Sequence, residues 1–407
     1  MKVIFLGFLD IYQMLYFIIR PIVRLTFRIF FSKIYLHGLE RIPLDRPVLI
    51  SSNHPSAFLE ACLLATHFPK SLHFLVRGDI FVNKFVVWIL AQLHLIPIYR
   101  FADGFKNLRS NESTFNDCYA RLAKGEIIVV YAEGNTQQEK RLRPIQKGLA
   151  RIAFGAKDAS PDIDLCIVPM GVNYAHPNNF RSEVFIEVGN PIELSAYYSK
   201  YKEDSASAIK AISELTQAVE VAMKPLVIHI NEDSDLLLAE KLWLLNKARN
   251  NPSLLPVVRR TGDRYAIDKQ TSLLVNTISE VDKTKLFNQI IVNSPVTSSS
   301  LWIKFLSIPA GIGKIINGLP LMIAQKITRS KVKRIEFFAS VLVGSGMFLY
   351  LFYLLFIFLL GLWFKLKPVL LLAIIIGTGL IYLYYDYSKQ KTILQQIKEV
   401  NEDIRVE

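Results

Sequence analysis

His54 and Glu60 lie in the run Ser51-Ser52-Asn53-His54-Pro55-Ser56-Ala57-Phe58-Leu59-Glu60, and they form the pair in this chain best suited to proton transfer. Imidazole titrates near neutral pH and can take a proton from an alcohol as that alcohol attacks a carbonyl. A neighbouring carboxylate sets the tautomer and supports the cation that forms. Within one regular helix, residues at this spacing differ by about 240° and share no face, so the pair meets only if His54 sits in the loop before the helix carrying Glu60. Pro55 disfavours helix at His54 and supports that placement. Taken alone, the stretch reads equally well as a histidine capping a helix whose solvated face carries Glu60.

Other chemistries lack their residues. No Gly-x-Ser-x-Gly elbow occurs, which leaves Ser56 and Cys62 as nucleophiles in principle only. The seven histidines are dispersed, without a His-Glu-x-x-His cluster, and no metal site is expected. The glycines of residues 311–318 lack phosphate-loop spacing, and no cofactor is expected. Cys62, Cys118 and Cys166 are too few and scattered for a disulfide framework and read as core residues.

Lys and Arg number 48 against 35 Asp and Glu in 407 residues, and a net charge of +13 favours anionic partners. Hydrophobic residues make up 51% of the chain and concentrate near the C-terminus, which points to membrane phospholipid. The basic residues form no aromatic-basic face, so nucleic acid is not an expected partner. Residues 337–364 are uncharged and longer as a helix than the roughly 30 Å hydrocarbon core; after Lys365 and Lys367, residues 368–385 are just long enough to return. A transmembrane hairpin is expected within residues 328–391, followed by a tail at 392–407. Lys326, Arg329, Lys331, Lys333 and Arg334 before it, with Lys389 and Lys391 after it, place both flanks in the cytoplasm. Residues 301–327, broken by Pro309, Gly311, Gly313, Lys314 and Pro320, suit an interfacial or re-entrant segment. Residues 1–32 are apolar, with Arg20, Arg24 and Arg28 on one helical face, and suit a retained interfacial anchor whose arginines meet head groups.

Between these ends, residues 33–194 alternate β-rich runs with amphipathic stretches, the pattern of an α/β core with a mixed β-sheet flanked by helices. Strands are expected at 47–52, 73–77, 126–132, 165–172 and 184–188, and helices near 58–66, 83–94, 111–124 and 145–157. Residues 195–300 turn polar and helical and read as an accessory region without chemistry of its own. Pro169, inside a β-rich run, signals an edge strand or a bulge.

From residue 35 to residue 194 the chain resembles the glycerophospholipid acyltransferase family, which includes glycerol-3-phosphate and lysophosphatidate acyltransferases. Four blocks carry the resemblance in the family order. Asn53-His54 through Glu60 is similar to the family's Asn-His and following Asp. Here five residues intervene, as in the glycerol-3-phosphate-acyltransferase-like branch, and Glu replaces Asp. Ile96-Pro97-Ile98-Tyr99-Arg100 resembles the segment whose arginine contacts the acceptor phosphate. Tyr131-Ala132-Glu133-Gly134-Asn135-Thr136 is similar to the Glu-Gly block that helps bind the acceptor. Ile167-Val168-Pro169-Met170-Gly171-Val172 resembles the apolar-proline block that lines the cleft.

The resemblance implies an integral membrane O-acyltransferase of phospholipid biosynthesis with its core facing the cytoplasm. It implies His54 and Glu60 as the catalytic pair, and Arg100, Glu133, Gly134 and Asn135 as substrate-binding residues. The arginine that often follows Glu-Gly in relatives is absent here; Arg141, Arg143 and Lys147 arrive soon after and are the candidates to supply its charge, or else form a solvated basic run. The implied partners are acyl carrier protein or acyl-coenzyme A as donor, and glycerol 3-phosphate, lysophosphatidate or another lipid hydroxyl as acceptor. A lipid-binding scaffold that keeps the fold without turnover is the competing reading, motivated by Glu60 and the missing arginine.

Overall fold

The computed structural model describes residues 11–99, 111–250, 253–260, 262–292 and 301–404, which form two compact units, 1–227 and 228–407. In the first unit, short β-branched and apolar runs make the strands β1 (Lys33–His37), β2 (Val48–Ser52), β3 (Leu72–Arg77), β4 (Leu95–Ile98), β5 (Ile127–Tyr131), β6 (Cys166–Tyr174), β7 (Glu183–Val188) and β8 (Ile192–Glu193). They lie in the order β4-β3-β5-β2-β6-β7-β1, with β8 paired to β6. Neighbours from β4 through β6 are parallel, β6 meets β7 and β8 antiparallel, and β7 meets β1 parallel. The sheet is mixed, and β2, buried at every position, is one of its central strands.

Side chains alternate across the sheet. Leu49, Ile128 and Ile167 point to one face, where they pack with Cys118 and Leu122 of α4 (Asn111–Ala123), Ile152 and Phe154 of α5 (Gly148–Ala159) and Leu215 and Met223 of α7 (Ser205–Met223). The unit therefore runs past residue 194, where composition alone placed a boundary. The reason is that α7 buries a stripe of Ala211, Leu215, Val219 and Met223 at helical spacing on the same core. The short α6 (Ser195–Tyr201) precedes it. Cys118 and Cys166 are core residues as expected, whereas Cys62 is exposed, one turn along from the exposed Phe58.

Helix α1 (Ile11–Phe30) corrects a second expectation. Two of its three arginines do not point to head groups. Arg20 donates to the carbonyl of Phe68 and Arg24 Nε to that of Thr66 at 2.6 Å, at the C-terminal end of α2 (Leu59–His67), where cations offset the carbonyl charge. Tyr16 adds a bond to Ala65 O at 2.9 Å, and only Arg28 of the three is exposed. Pro169 also differs from its edge-strand reading. It sits inside β6 where the partner changes from β8, at Ile167, to β7, at Met170, so its missing N–H leaves no ladder position empty.

In the second unit, α8 (Leu236–Asn250), α9 (Arg264–Thr277) and α10 (Glu280–Gln289) precede three helices long and apolar enough to cross a membrane: α11 (Leu301–Lys331), α12 (Phe338–Trp363) and α13 (Pro368–Val400). The last two are the expected hairpin helices, with α13 continuing well beyond residue 385 into the segment expected as a tail. The interruptions expected in residues 301–327 do not materialise, because α11 is continuous through Pro309 and Pro320. Pro320 cannot donate to the Ile316 carbonyl one turn earlier, and Tyr353 Oη of α12 donates to that carbonyl instead, at 3.0 Å. Tyr350 Oη similarly meets Asn317 Oδ1 at 2.5 Å, while Asn317 Nδ2 donates to Gly313 O and Ile375 O. Tyr353→Phe is expected to lower the unfolding free energy in detergent by about 1 kcal/mol, a typical worth for an interhelical bond in lipid. Denaturation by increasing mole fraction of sodium dodecyl sulfate measures it, and an unshifted midpoint would remove the hydroxyl from this role.

Candidate functional site

β2 and β5 run parallel with Ser52 opposite Tyr131, so the loops that leave their C-terminal ends emerge side by side. Crevices at such strand ends are where open α/β sheets bind ligands. Asn53 anchors the first loop to β6: its Nδ2 donates to Val172 O at 2.9 Å, and its Oδ1 accepts from Val172 N at 2.7 Å. His54 follows. Its amide donates to Glu133 Oε2 at 2.9 Å, its carbonyl accepts from Gln137 N at 3.2 Å, and its ring stacks on Tyr131 with centroids 3.9 Å apart.

His54 lies before the helix, the condition on which the pairing with Glu60 depends. Phe58, at φ +61°, turns the chain into α2, a left-handed conformation that costs a non-glycine residue about 1–3 kcal/mol. That turn aims Glu60, in the first turn of α2, back at the loop. Its carboxylate is fully buried; Oε1 accepts from the Ser56 amide and lies 3.8 Å from His54 Nδ1. Nδ1 faces the carboxylate, which leaves Nε2 of the partly exposed ring for an incoming hydroxyl. The amide of Ser56 is committed to Glu60.

The second loop carries Glu133, Gly134, Asn135 and Arg143. Gly134 has φ +78°, a conformation that favours glycine, and a Cβ there would meet Gln146 Cγ at 3.1 Å. Both Glu133 oxygens bond within the two loops: Oε1 accepts from Arg143 N at 2.9 Å, while Oε2 accepts from His54 N and from an Arg143 guanidinium nitrogen at 2.6 Å. Arg143 also bonds the Asn135 side chain and carbonyl. These three residues clamp the His54 backbone.

The remaining basic candidates divide. Arg141 pairs with Glu139 at 3.2 Å, Lys140 donates to the Tyr174 and Ala175 carbonyls, and Lys147 is exposed at the start of α5. Arg100 lies outside the described residues, next to Tyr99, whose amide donates to Asn111 Oδ1 at 2.9 Å. The described residues hold no cluster of three or more His, Cys, Asp or Glu able to bind a metal. No sequence signal pointed to two tyrosines of this region. Tyr131 stacks on His54, and the phenols of Tyr131 and Tyr174 are pushed well above the usual tyrosine range by burial first and by Glu60 second. Only the strand register brings them there.

The Acyltransferase family model matches residues 33–173. The chain is 27% identical over 146 residues to glycerol-3-phosphate O-acyltransferase 1 of Saccharomyces cerevisiae, a match covering 35% of this chain and 19% of that protein. It is 29% identical over 147 residues to lyso-ornithine lipid O-acyltransferase of Rhizobium meliloti, covering 35% of this chain and 45% of that protein. The matched region thus spans less than half of either relative. Among solved structures, the 1-acyl-sn-glycerophosphate (LPA) acyltransferase of Thermotoga maritima aligns with a TM-score of 0.36 at 16% identity, covering 52% of this chain and 80% of that one.

Proposed function

We propose that the chain, which matches the Acyltransferase family model over residues 33–173, is a glycerophospholipid acyltransferase that moves a fatty acyl chain from a thioester donor to the hydroxyl of a glycerophosphate-type lipid precursor. The observation that carries this reading is His54 fixed in a loop with one ring nitrogen toward a buried carboxylate. In the proposed step, His54 Nε2 takes the acceptor's hydroxyl proton as the oxygen forms a bond to the thioester carbonyl carbon. The tetrahedral adduct then breaks its carbon–sulfur bond, and the departing thiolate takes the proton from the imidazolium. No acyl-enzyme is required.

Glu60 orients His54 and supports its cation; Arg100 and Lys147 are the proposed phosphate ligands. The donor is acyl carrier protein or acyl-coenzyme A. The acceptor is glycerol 3-phosphate or lysophosphatidate; the name of the Rhizobium relative also brings other lysolipid hydroxyls into the test. Thiol release from both donors, measured with each acceptor in turn, tests the reading. Acceptor-dependent release supports it, and none with any acceptor from a folded, lipid-binding protein returns the scaffold reading. In the same assay Glu60→Gln is expected to lower kcat by about 10²-fold, within the range of general acid–base contributions, with the acceptor KM little changed. Undiminished kcat would take Glu60 out of the scheme.

The core is proposed to face the cytoplasm. Ile291 N donates to Asn401 Oδ1, and Asn401 Nδ2 to Ile291 O, both at 2.9 Å. The chain before α11 therefore lies on the side where α13 ends, beyond Lys389, Lys391 and Lys398, the side that excess basic charge marks as cytoplasmic.

A further inference from the structure

Four buried polar atoms around the dyad have no hydrogen-bond partner among the described residues: His54 Nδ1, Glu60 Oε2, Tyr131 Oη and Tyr174 Oη. Glu60 is fully buried and Tyr174 is 4% exposed. A buried carboxylate oxygen or hydroxyl that has given up its water without gaining a partner destabilises the fold, the carboxylate more than the hydroxyl. Three such penalties are concentrated beside one catalytic histidine.

The strand register explains the convergence. Tyr131 ends β5 opposite Ser52, so its ring lies against His54 at the start of the next loop. Tyr174 ends β6, two residues beyond Val172, which holds Asn53 by both of its backbone groups, and its ring stacks on Phe31 at 6.0 Å. The two phenols come from the strands on either side of β2, β5 and β6, and both lie close enough to Glu60 for its charge to act on them.

We propose that Tyr131 and Tyr174 are positioning residues that hold Glu60 Oε2 through one shared buried water. Three polar partners suit such a water. Both phenols stay protonated because burial raises them well above the usual tyrosine range, so they act as neutral hydroxyls beside the carboxylate. Glu60 is one methylene longer than an aspartate and has one more rotatable bond, and the second anchor removes that freedom. Its near oxygen then stays between the Ser56 amide and His54. The positioning role rests on the acyl-transfer reading above, whereas the hydrogen-bond arrangement does not.

The test combines Tyr131→Phe, Tyr174→Phe and the double variant, each in the native and the Glu60→Leu background, in the full chain in detergent. Phenylalanine keeps the ring stacking and removes only the hydroxyl. Thermal melting reads the arrangement without turnover. Each single change is expected to lower the melting temperature by about 2–4 °C in the native background and to leave it unchanged or raised with Glu60→Leu. The double variant should lose little more than the worse single one, since one water is shared. If the hydroxyls were unconnected, removing a buried unmatched group would raise the melting temperature in both backgrounds, which overturns the proposal. Turnover reads the positioning: kcat is expected to fall about tenfold for each single change, the worth of a hydrogen bond to a charged group, with the acceptor KM unchanged. Coupled melting with unaltered kcat would refute the positioning role. A native protein without turnover would refute the acyl-transfer reading and the positioning role together, with the melting cycle still deciding the arrangement.

Discussion

His54→Ala is expected to lower kcat for acyl transfer by about 10²–10⁴-fold, the usual contribution of a positioned general base, while the protein folds and melts as the native chain does. The side chain makes no hydrogen bond within the described residues; its contacts are the stack on Tyr131 and the 3.8 Å approach to Glu60. The backbone bonds that hold the loop, to Glu133 and from Gln137, survive the substitution. Loss of rate without loss of fold is the signature sought, read as thiol release under saturating donor and acceptor. A variant retaining more than about a tenth of native kcat would mean that the acceptor hydroxyl is deprotonated elsewhere.

Glu133→Ala is expected to cost both stability and activity. Its carboxylate is 2% exposed and takes three bonds, two of them from Arg143, whose side chain is 13% exposed. Removing one partner of such a pair leaves a nearly buried cation uncompensated, a loss of about 3–5 kcal/mol. The amide of His54 also loses its acceptor, and the loop that aims the imidazole comes free of β5. Chemical denaturation should show the lost stability, and turnover of the surviving folded fraction should fall mainly in kcat. A variant of native stability with a raised acceptor KM would instead restore Glu133 to the substrate-contacting role expected from its motif. Since a substrate ligand and a loop clamp would both be replaced by the same change, the division between stability and KM carries the decision.

That contrast shows what a motif conveys. Glu133, Gly134 and Asn135 were recognisable as a block, and Gly134 has the positive φ that glycine adopts most readily. The direction of the Glu133 carboxylate was not recognisable, because it depends on Arg143 returning ten residues later to meet it. Arg20 and Arg24 make the same point in α1. Their spacing set one face of a helix, but whether that face met head groups or the carbonyls of α2 depended on which surface the helix was packed against.

The local elements were legible wherever one period dominated. The expected strands at 47–52, 73–77, 126–132, 165–172 and 184–188 and the four expected helices coincide with β2, β3, β5, β6, β7 and α2, α3 (Lys84–Gln92), α4 and α5 to within a few residues. Short or mixed segments escaped: β4 has only four residues with a proline inside, and β1 carries a lysine and a histidine that hid its burial. The continuity of α11 through two prolines was unreadable for a different reason, since the replacement donor for the Ile316 carbonyl comes from another helix.

By itself, the order of residues determined the class of the core, the two uncharged membrane-length runs and a histidine–carboxylate pair suited to the proposed proton transfer, because periodicity, apolar length and side-chain chemistry are local properties. It also set the condition under which His54 and Glu60 could meet, since Pro55 keeps His54 out of the helix. Only the tertiary structure decided that the turn at Phe58 brings Glu60 back to 3.8 Å from the ring, that Glu133 clamps the loop, and that Tyr131 stacks on the imidazole. Those outcomes arise from strand order and register, which join residues that are distant along the chain through contacts that no local period encodes.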